Sequence, residues 1–194
     1  WDKYVASVKY AKYVLFHPFD GFWDLKHEKR GSVRSGFIIL LATVLVYFYN
    51  SIGQGYIFNP RPSTTFNVMG AITAVVVPLL LWTVSNWCLT TLFEGEGSLK
   101  DVYVATCYSL FPMVLTLIPA TLFSNVILAN ETGIITLLIN IGYVWTFMLI
   151  FFGAQVTHDY TLGKNIIMTA ATILGMAIVM FIGILFFPCN CSLL

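Results

Sequence analysis

The sequence predicts an all-α integral membrane protein: five transmembrane helices preceded by an amphipathic interfacial helical segment. Three observations predict it. Of the 194 residues, 58% are hydrophobic and 10% charged, whereas a water-soluble domain carries about 25% charged residues. The mean hydropathy is +0.83, so lipid must solvate much of the outer surface. The apolar residues gather into five stretches, each near the roughly 20 helical residues that cross about 30 Å of hydrocarbon. Alternating segments of about 10 residues, the pattern of a membrane β-barrel, are not seen. Helices are then required, because lipid offers no partner to free backbone groups.

Residues 1–33 form a collar. Trp1, Tyr4, Val5, Val8, Ala11 and Leu15 recur at helical spacing, with Asp2, Lys3, Lys9 and Lys12 between them. A basic, aromatic, amphipathic helix beside a span is expected to lie in the membrane interface. His17-Pro18 breaks it, and Pro18 suits the first position of a second short helix. That helix carries Phe19, Phe22, Trp23 and Leu25 toward the bilayer or the bundle. Asp24, His27, Glu28, Lys29 and Arg30 face water, and Gly31-Ser32 ends it. His17, Phe19, Asp20, Phe22 and Trp23 are the candidate docking residues for another protein.

The domain of residues 34–188 follows, with spans at Ser35–Ile52, Val68–Phe93, Val102–Leu128, Gly133–Thr157 and Ile166–Phe187. Residues 53–67 form the longest loop, whose Asn59-Pro60-Arg61-Pro62-Ser63 is turn chemistry. Pro78, Pro112 and Pro119 fall inside spans and are expected to kink them. The turns Glu94–Asp101 and His158–Asn165 are short, so each flanking pair of spans is an antiparallel hairpin. Residues 189–194 are a short tail.

Charge sets the expected orientation. Lys3, Lys9, Lys12, Lys26, Lys29, Arg30 and Arg34 precede the first span, Lys100 and Lys164 lie in the two short turns, and Arg61 alone falls on the opposite side. Basic residues accumulate on the cytoplasmic face. The N-terminus is therefore expected inside and, after five spans, the C-terminus outside. The start at Trp1 rather than Met is that expected of a trimmed or partial chain, and no cleavable signal sequence is read at it. Cys88 and Cys107 read as small packing residues within spans. Cys189 and Cys191 are too close for an unstrained bridge and read as free.

Two groups of polar residues are candidate sites. Asn86 and Ser109 stand eight residues from the same turn, about 12 Å along neighbouring helices. With Thr90 and Tyr108 they are expected to make hydrogen bonds between helices. At the rim, Glu94, Glu96, Asp101, His158 and Asp159 come from the two turns and converge if the hairpins pack together. Lys100 and Lys164 can neutralise them in a solvated ring of ion pairs. A divalent cation on Glu94, Glu96, His158 and Asp159 is the alternative, because imidazole and carboxylate together suit Zn or Mn. Enzyme signatures are missing: no phosphate-binding loop, no Gly-x-Ser-x-Gly, no His-Glu-x-x-His and no dinucleotide fingerprint.

Several segments, in order, resemble one family. They are His17-Pro18-Phe19-Asp20-Gly21-Phe22, Asn86-Trp87 with Thr90-Thr91, Gly95-Glu96-Gly97 with Lys100-Asp101, Tyr108-Ser109-Leu110-Phe111-Pro112, and His158-Asp159-Tyr160 with Gly163-Lys164. Together they resemble the bacterial branch of the YIP-domain family, named for proteins that bind Ypt/Rab GTPases. The resemblance implies a five-helix membrane domain with a cytoplasmic N-terminus. It implies vesicle traffic for eukaryotic relatives and companionship with carbohydrate transporters for bacterial ones. The eukaryotic Asp-Leu-x-Gly-Pro pattern is not matched, since Lys26-His27-Glu28 follows Asp24-Leu25, and Cys107 stands where a Gly usually precedes the Tyr-Ser pair. Binding of a Rab-type GTPase is therefore not carried over.

The expected function is non-enzymatic: an accessory or scaffold partner of a membrane assembly, in the bacterial plasma membrane. A small transporter or channel for an ion, lipid or small solute is the alternative. Expected partners are the bilayer and other membrane proteins, with no nucleic acid and no cofactor.

Overall fold

The computed structural model describes residues 2–55, 68–93, 95–126 and 131–186. Glu94, Arg61 with its loop, Cys189 and Cys191 lie outside the described residues. Eight helices fill the described chain: α1 Asp2–Phe16, α2 Pro18–His27, α3 Val33–Gly53, α4 Val68–Leu92, α5 Leu99–Ser109, α6 Phe111–Ser124, α7 Thr132–His158 and α8 Leu162–Phe186. Five units are long and apolar enough to cross a membrane: α3, α4, α5 with α6, α7, and α8 up to Gly183.

The third span is the hub and is broken. Pro112 has no N–H to donate back to Tyr108, so the α-helix stops at Ser109 and restarts at Phe111. The break tightens into short turns, Leu110 N–H donating to Cys107 O (3.2 Å) and Met113 N–H to Leu110 O (3.0 Å). Pro78, by contrast, is carried within an unbroken α4. The span also starts earlier than expected, at Leu99, because Ser98 caps it.

Spans in lipid gain little from burying apolar surface against each other, so close backbone approach and hydrogen bonds decide which helices pair. α3 runs parallel to the hub. A Cβ on Gly36 would sit 3.3 Å from Cys107 Cβ, and one on Gly53 would sit 3.0 Å from Thr121 Cγ2. Thr121 Oγ1 lies 2.8 Å from Asn50 Oδ1, and Asn125 Nδ2 donates to Gly53 O (2.8 Å). α7 runs antiparallel to the hub, with Gly142 packed directly on Thr116. α4 and α8 flank this centre and pack on each other.

α1 and α2 precede the first span as two short helices. They fold into a hairpin at His17-Pro18 and enter the bundle. Gly21 allows it, since a Cβ there would stand 2.9 Å from Val14 Cα. Ala11, Val14, Leu15, Phe22 and Leu25 share one buried core with Ile39, Val104, Ala105, Tyr108 and Leu149. Phe22 covers Gly153, its ring 3.2 Å from where a Cβ would stand. Phe19 meets Phe152 and Phe16 meets Trp145, with centroids 4.9 and 6.1 Å apart. Trp145 is about 20 Å inside the end of α7 at 1.5 Å per residue. Ala11, Val14 and Leu15 of α1 therefore have protein partners.

Gly142→Ala is expected to destabilise the domain by about 1–3 kcal/mol through overpacking. Thr116→Ala in the same chain is expected to recover part of the loss. Thermal unfolding in mild detergent reads both, and equal melting of Gly142→Ala and wild type would contradict the α6–α7 contact.

Candidate functional site

The N-terminal hairpin and both short turns lie at one end of the bundle, here called the basic end. Local sequence builds the turn between α4 and α5. Ser98 is the N-cap of α5: its Oγ lies 3.3 Å from Asp101 N, and Asp101 Oδ2 accepts from Ser98 N (3.2 Å) and Ser98 Oγ (2.6 Å). Such a reciprocal cap is worth about 0.5–2 kcal/mol and commits the Asp101 carboxylate. Gly95 N–H donates to Thr90 O (2.8 Å), which turns the chain toward α7.

The turn after α7 is built differently. Asp159 caps the helix in the left-handed region (φ 54°), which Asp tolerates better than most residues. Tyr160 N–H then donates to Gln155 O (3.0 Å). This folds Tyr160 back onto His158, rings stacked with centroids 5.4 Å apart. Lys164 Nζ stands 4.5 Å from the Tyr160 ring centre, a cation–π contact. Burial raises the Tyr160 hydroxyl above the ordinary tyrosine value.

The two turns meet at His158, which is 2% exposed. Gly97 N–H donates to its Nδ1 (3.3 Å), and its Nε2 lies 2.9 Å from Asn86 Oδ1. With Nδ1 accepting, the neutral ring carries its proton on Nε2 and donates it to Asn86. Asn86 Nδ2 donates to Thr172 Oγ1 (3.3 Å), and Thr172 Oγ1 donates to Met168 O (2.8 Å). The chain of donors runs in one direction across the α4–α5 turn, α7, α4 and α8. A Cβ on Gly95 would stand 2.6 Å from the Tyr160 hydroxyl and 2.9 Å from Nδ1, and one on Gly97 would stand 2.8 Å from the imidazole. Both glycines are set by this close approach.

The remaining candidates disperse. Glu96 pairs with Lys26 (3.3 Å) and is otherwise open to solvent. Asp159 is exposed at its cap, while Lys100 is exposed on the first turn of α5. Asn86 and Ser109 do not bond each other: Ser109 Oγ turns back to Ala105 O (2.8 Å), and Thr90 Oγ1 to Asn86 O (2.7 Å). The Tyr108 hydroxyl donates to Ser7 O (2.9 Å) and stands 3.1 Å from Ser35 Oγ, tying α1 to α3 and α5. Among the described residues, no three His, Cys, Asp or Glu side chains come together as metal ligands would. Both His158 nitrogens are engaged, which leaves no lone pair for a cation.

Of the docking candidates, Phe22 is 1% exposed and belongs to the core. Phe19 and Trp23 are 49% and 50% exposed, beside exposed Asp20. His17 stacks on Tyr13 (5.0 Å) and Trp23 on His27 (4.5 Å). Tyr10 donates to Asp24 Oδ2 (2.6 Å). Burial first, then that bond and the Asp24 charge, hold its hydroxyl well above the usual tyrosine value.

The sequence did not mark Gly97, Tyr160, Thr172 or Lys26 as residues of a site. The glycines flanking Glu96 were the readable signal of a close approach. The Ser-x-x-Asp spacing at Ser98 was a readable capping box. Thr172 had no signal, because the register of α4 against α8 is set by contacts distant in sequence.

Five helical spans long and apolar enough to cross a membrane define a polytopic helical membrane protein. The Yip1 domain family model matches residues 12–184, so the chain belongs to that family of multi-pass membrane proteins. The family is one of generally non-enzymatic trafficking membrane proteins. The chain finds no match among curated proteins or among solved structures.

Asn86→Ala leaves the His158 Nε2–H without its acceptor, and Gly97→Ala drives a methyl into the ring. Each is expected to lower stability by about 1–3 kcal/mol. A double-mutant cycle of Asn86→Ala with His158→Ala is expected to show a coupling of about 0.5–2 kcal/mol. Additive losses in thermal unfolding would mean that the pair does not hold the hairpins together.

Proposed function

We propose that the chain is a non-enzymatic accessory or scaffold subunit of a membrane assembly, of the bacterial branch of its family, in the plasma membrane. Its basic end lies in the cytoplasm, following the distribution of Lys and Arg. The contact surface is the outer face of the α1–α2 hairpin.

The observation that carries this reading is a division of labour at the basic end. His158, Asn86 and Asp101 are consumed in holding helices together. Phe16, Phe19 and Trp23, 59%, 49% and 50% exposed, stand instead on the outside of a hairpin whose opposite face is fixed in the core. Large, rigid aromatic side chains on a braced support make good anchors for a partner. Asp20 and Lys12, exposed between them, add polar selectivity. The partner is another membrane protein that offers its own spans beside α7.

Photo-crosslinkers placed at Phe19 and Trp23 in native membranes are expected to give a discrete protein adduct. A crosslinker at Phe181 on α8 is expected to capture lipid. Lipid alone at all three positions would rule the scaffold reading out. Lys12→Cys should label with impermeant maleimide only from the cytoplasmic face and Leu194→Cys only from the other. Labelling of both from one face would overturn the orientation.

A further inference from the structure

A cavity of about 350 Å³ opens at the basic end, where the second half of α2 meets the first turns of α3 and α5. At about 30 Å³ per water, that is room for roughly ten waters. Phe22, Leu25 and Val104 are the apolar part of its wall, and Lys26, Lys29 and Lys100 the basic part. Lys29 holds a left-handed backbone (φ 51°), which places the lysine at the turn where the chain leaves α2 for α3. The first turn of α3 also lines the cavity, and a helix start carries positive partial charge.

Among the described residues, the negative charge nearby is already committed. Asp101, which lines the cavity, is held by Ser98 in the α5 cap. Glu96 pairs with Lys26, and its side chain is 69% exposed. Among the described residues neither Lys29 nor Lys100 makes an ion pair. The cavity therefore has a net positive mouth against an apolar wall, at the level where membrane spans begin.

We propose that this cavity binds the phosphate of an anionic glycerophospholipid, with Lys29 and Lys100 on the phosphate and the first methylenes of its acyl chains against Phe22, Leu25 and Val104. A soluble phosphate ester shares the charge but has no apolar part to use that wall. The site is independent of the scaffold role and depends only on the chain residing in a membrane.

The test uses the full chain in phosphatidylcholine nanodiscs containing a minority of phosphatidylglycerol, with native mass spectrometry of the lipid retained on release. Wild type is expected to retain phosphatidylglycerol several-fold over its share of the bilayer. The double variant Lys29→Gln, Lys100→Gln should lose that enrichment. Lys164→Gln, a rim lysine away from the cavity, should keep it. Glu96→Gln should increase it, because Lys26 is released from its ion pair. Unchanged enrichment in the double variant would overturn the proposal, as would equal loss with Lys164→Gln. Displacement of the retained lipid by glycerol phosphate at comparable concentration would overturn the assignment to a lipid. Thermal unfolding of each variant separates loss of binding from loss of fold, and the expected gain with Glu96→Gln cannot arise from misfolding.

Discussion

A buried imidazole with two nitrogens to satisfy sets the constraint on which the arrangement of the bundle depends. Water cannot reach His158, and an unpaired polar group in such surroundings costs several kcal/mol. Nδ1 needs a donor and takes Gly97 N–H, while Nε2–H needs an acceptor and takes Asn86. Each answer fixes a different helix. Gly97 holds the turn that starts α5, Asn86 holds α4, and the second end of its amide holds α8 through Thr172. A shift of either hairpin by one residue would leave several of these groups unpaired at once. The chain of bonds is therefore worth more as a determinant of register than the modest energy of any one link implies.

The rest of the packing follows the same economy. Threonines and serines along the spans satisfy themselves by donating to the carbonyl one turn back, as Thr43, Thr83, Thr106 and Ser109 do. These four bring small volume and meet their own polarity, which lets neighbouring backbones approach. Gly142 against Thr116 and Gly36 against Cys107 are such approaches on the two sides of the hub. The break at Leu110 belongs to this scheme. A Pro in the middle of a span forfeits a hydrogen bond wherever it stands, and in the hub it falls between two helix segments that have different neighbours: α5 meets the N-terminal hairpin, and α6 meets the far halves of α3 and α7.

Much of the fold was legible because it depends on composition along the chain. Apolar length fixed the number and place of the spans within a few residues, and the Pro and Gly positions marked the turns. Which side chain meets which was not legible. Asn86 and Ser109 share a depth in the membrane, but depth does not give the angle around the helix axis, and Ser109 points its hydroxyl at its own backbone. The rim carboxylates were expected to converge because both turns lie at one end. Each of the three described ones has a nearer use, Asp101 as a cap, Glu96 as a partner of Lys26, and Asp159 as a left-handed helix end. The amphipathic pattern of α1 marked a helix with one apolar face, and a protein groove receives Ala11, Val14 and Leu15 of that helix. Gly21 and Gly153 create the groove, and neither announces itself in a periodicity.

The manner in which the hairpin is held decides what it can present. Its one ion pair to the turns among the described residues, Lys26 with Glu96, has a largely exposed carboxylate, and such pairs contribute about 0–1 kcal/mol. Phe22 and Leu25, by contrast, are almost fully buried against α5 and α7, and each such side chain is worth about 1.5–3 kcal/mol when removed from water. The Tyr108 hydroxyl adds a buried bond to the backbone of α1. Attachment is therefore by packing and does not fade with salt, so the hairpin stays rigid while the charges around it remain available. Phe19 and Trp23 can then stand outward without the entropy loss of ordering a loose segment. The lysines at the base of the same hairpin keep their positions over the cavity for the same reason.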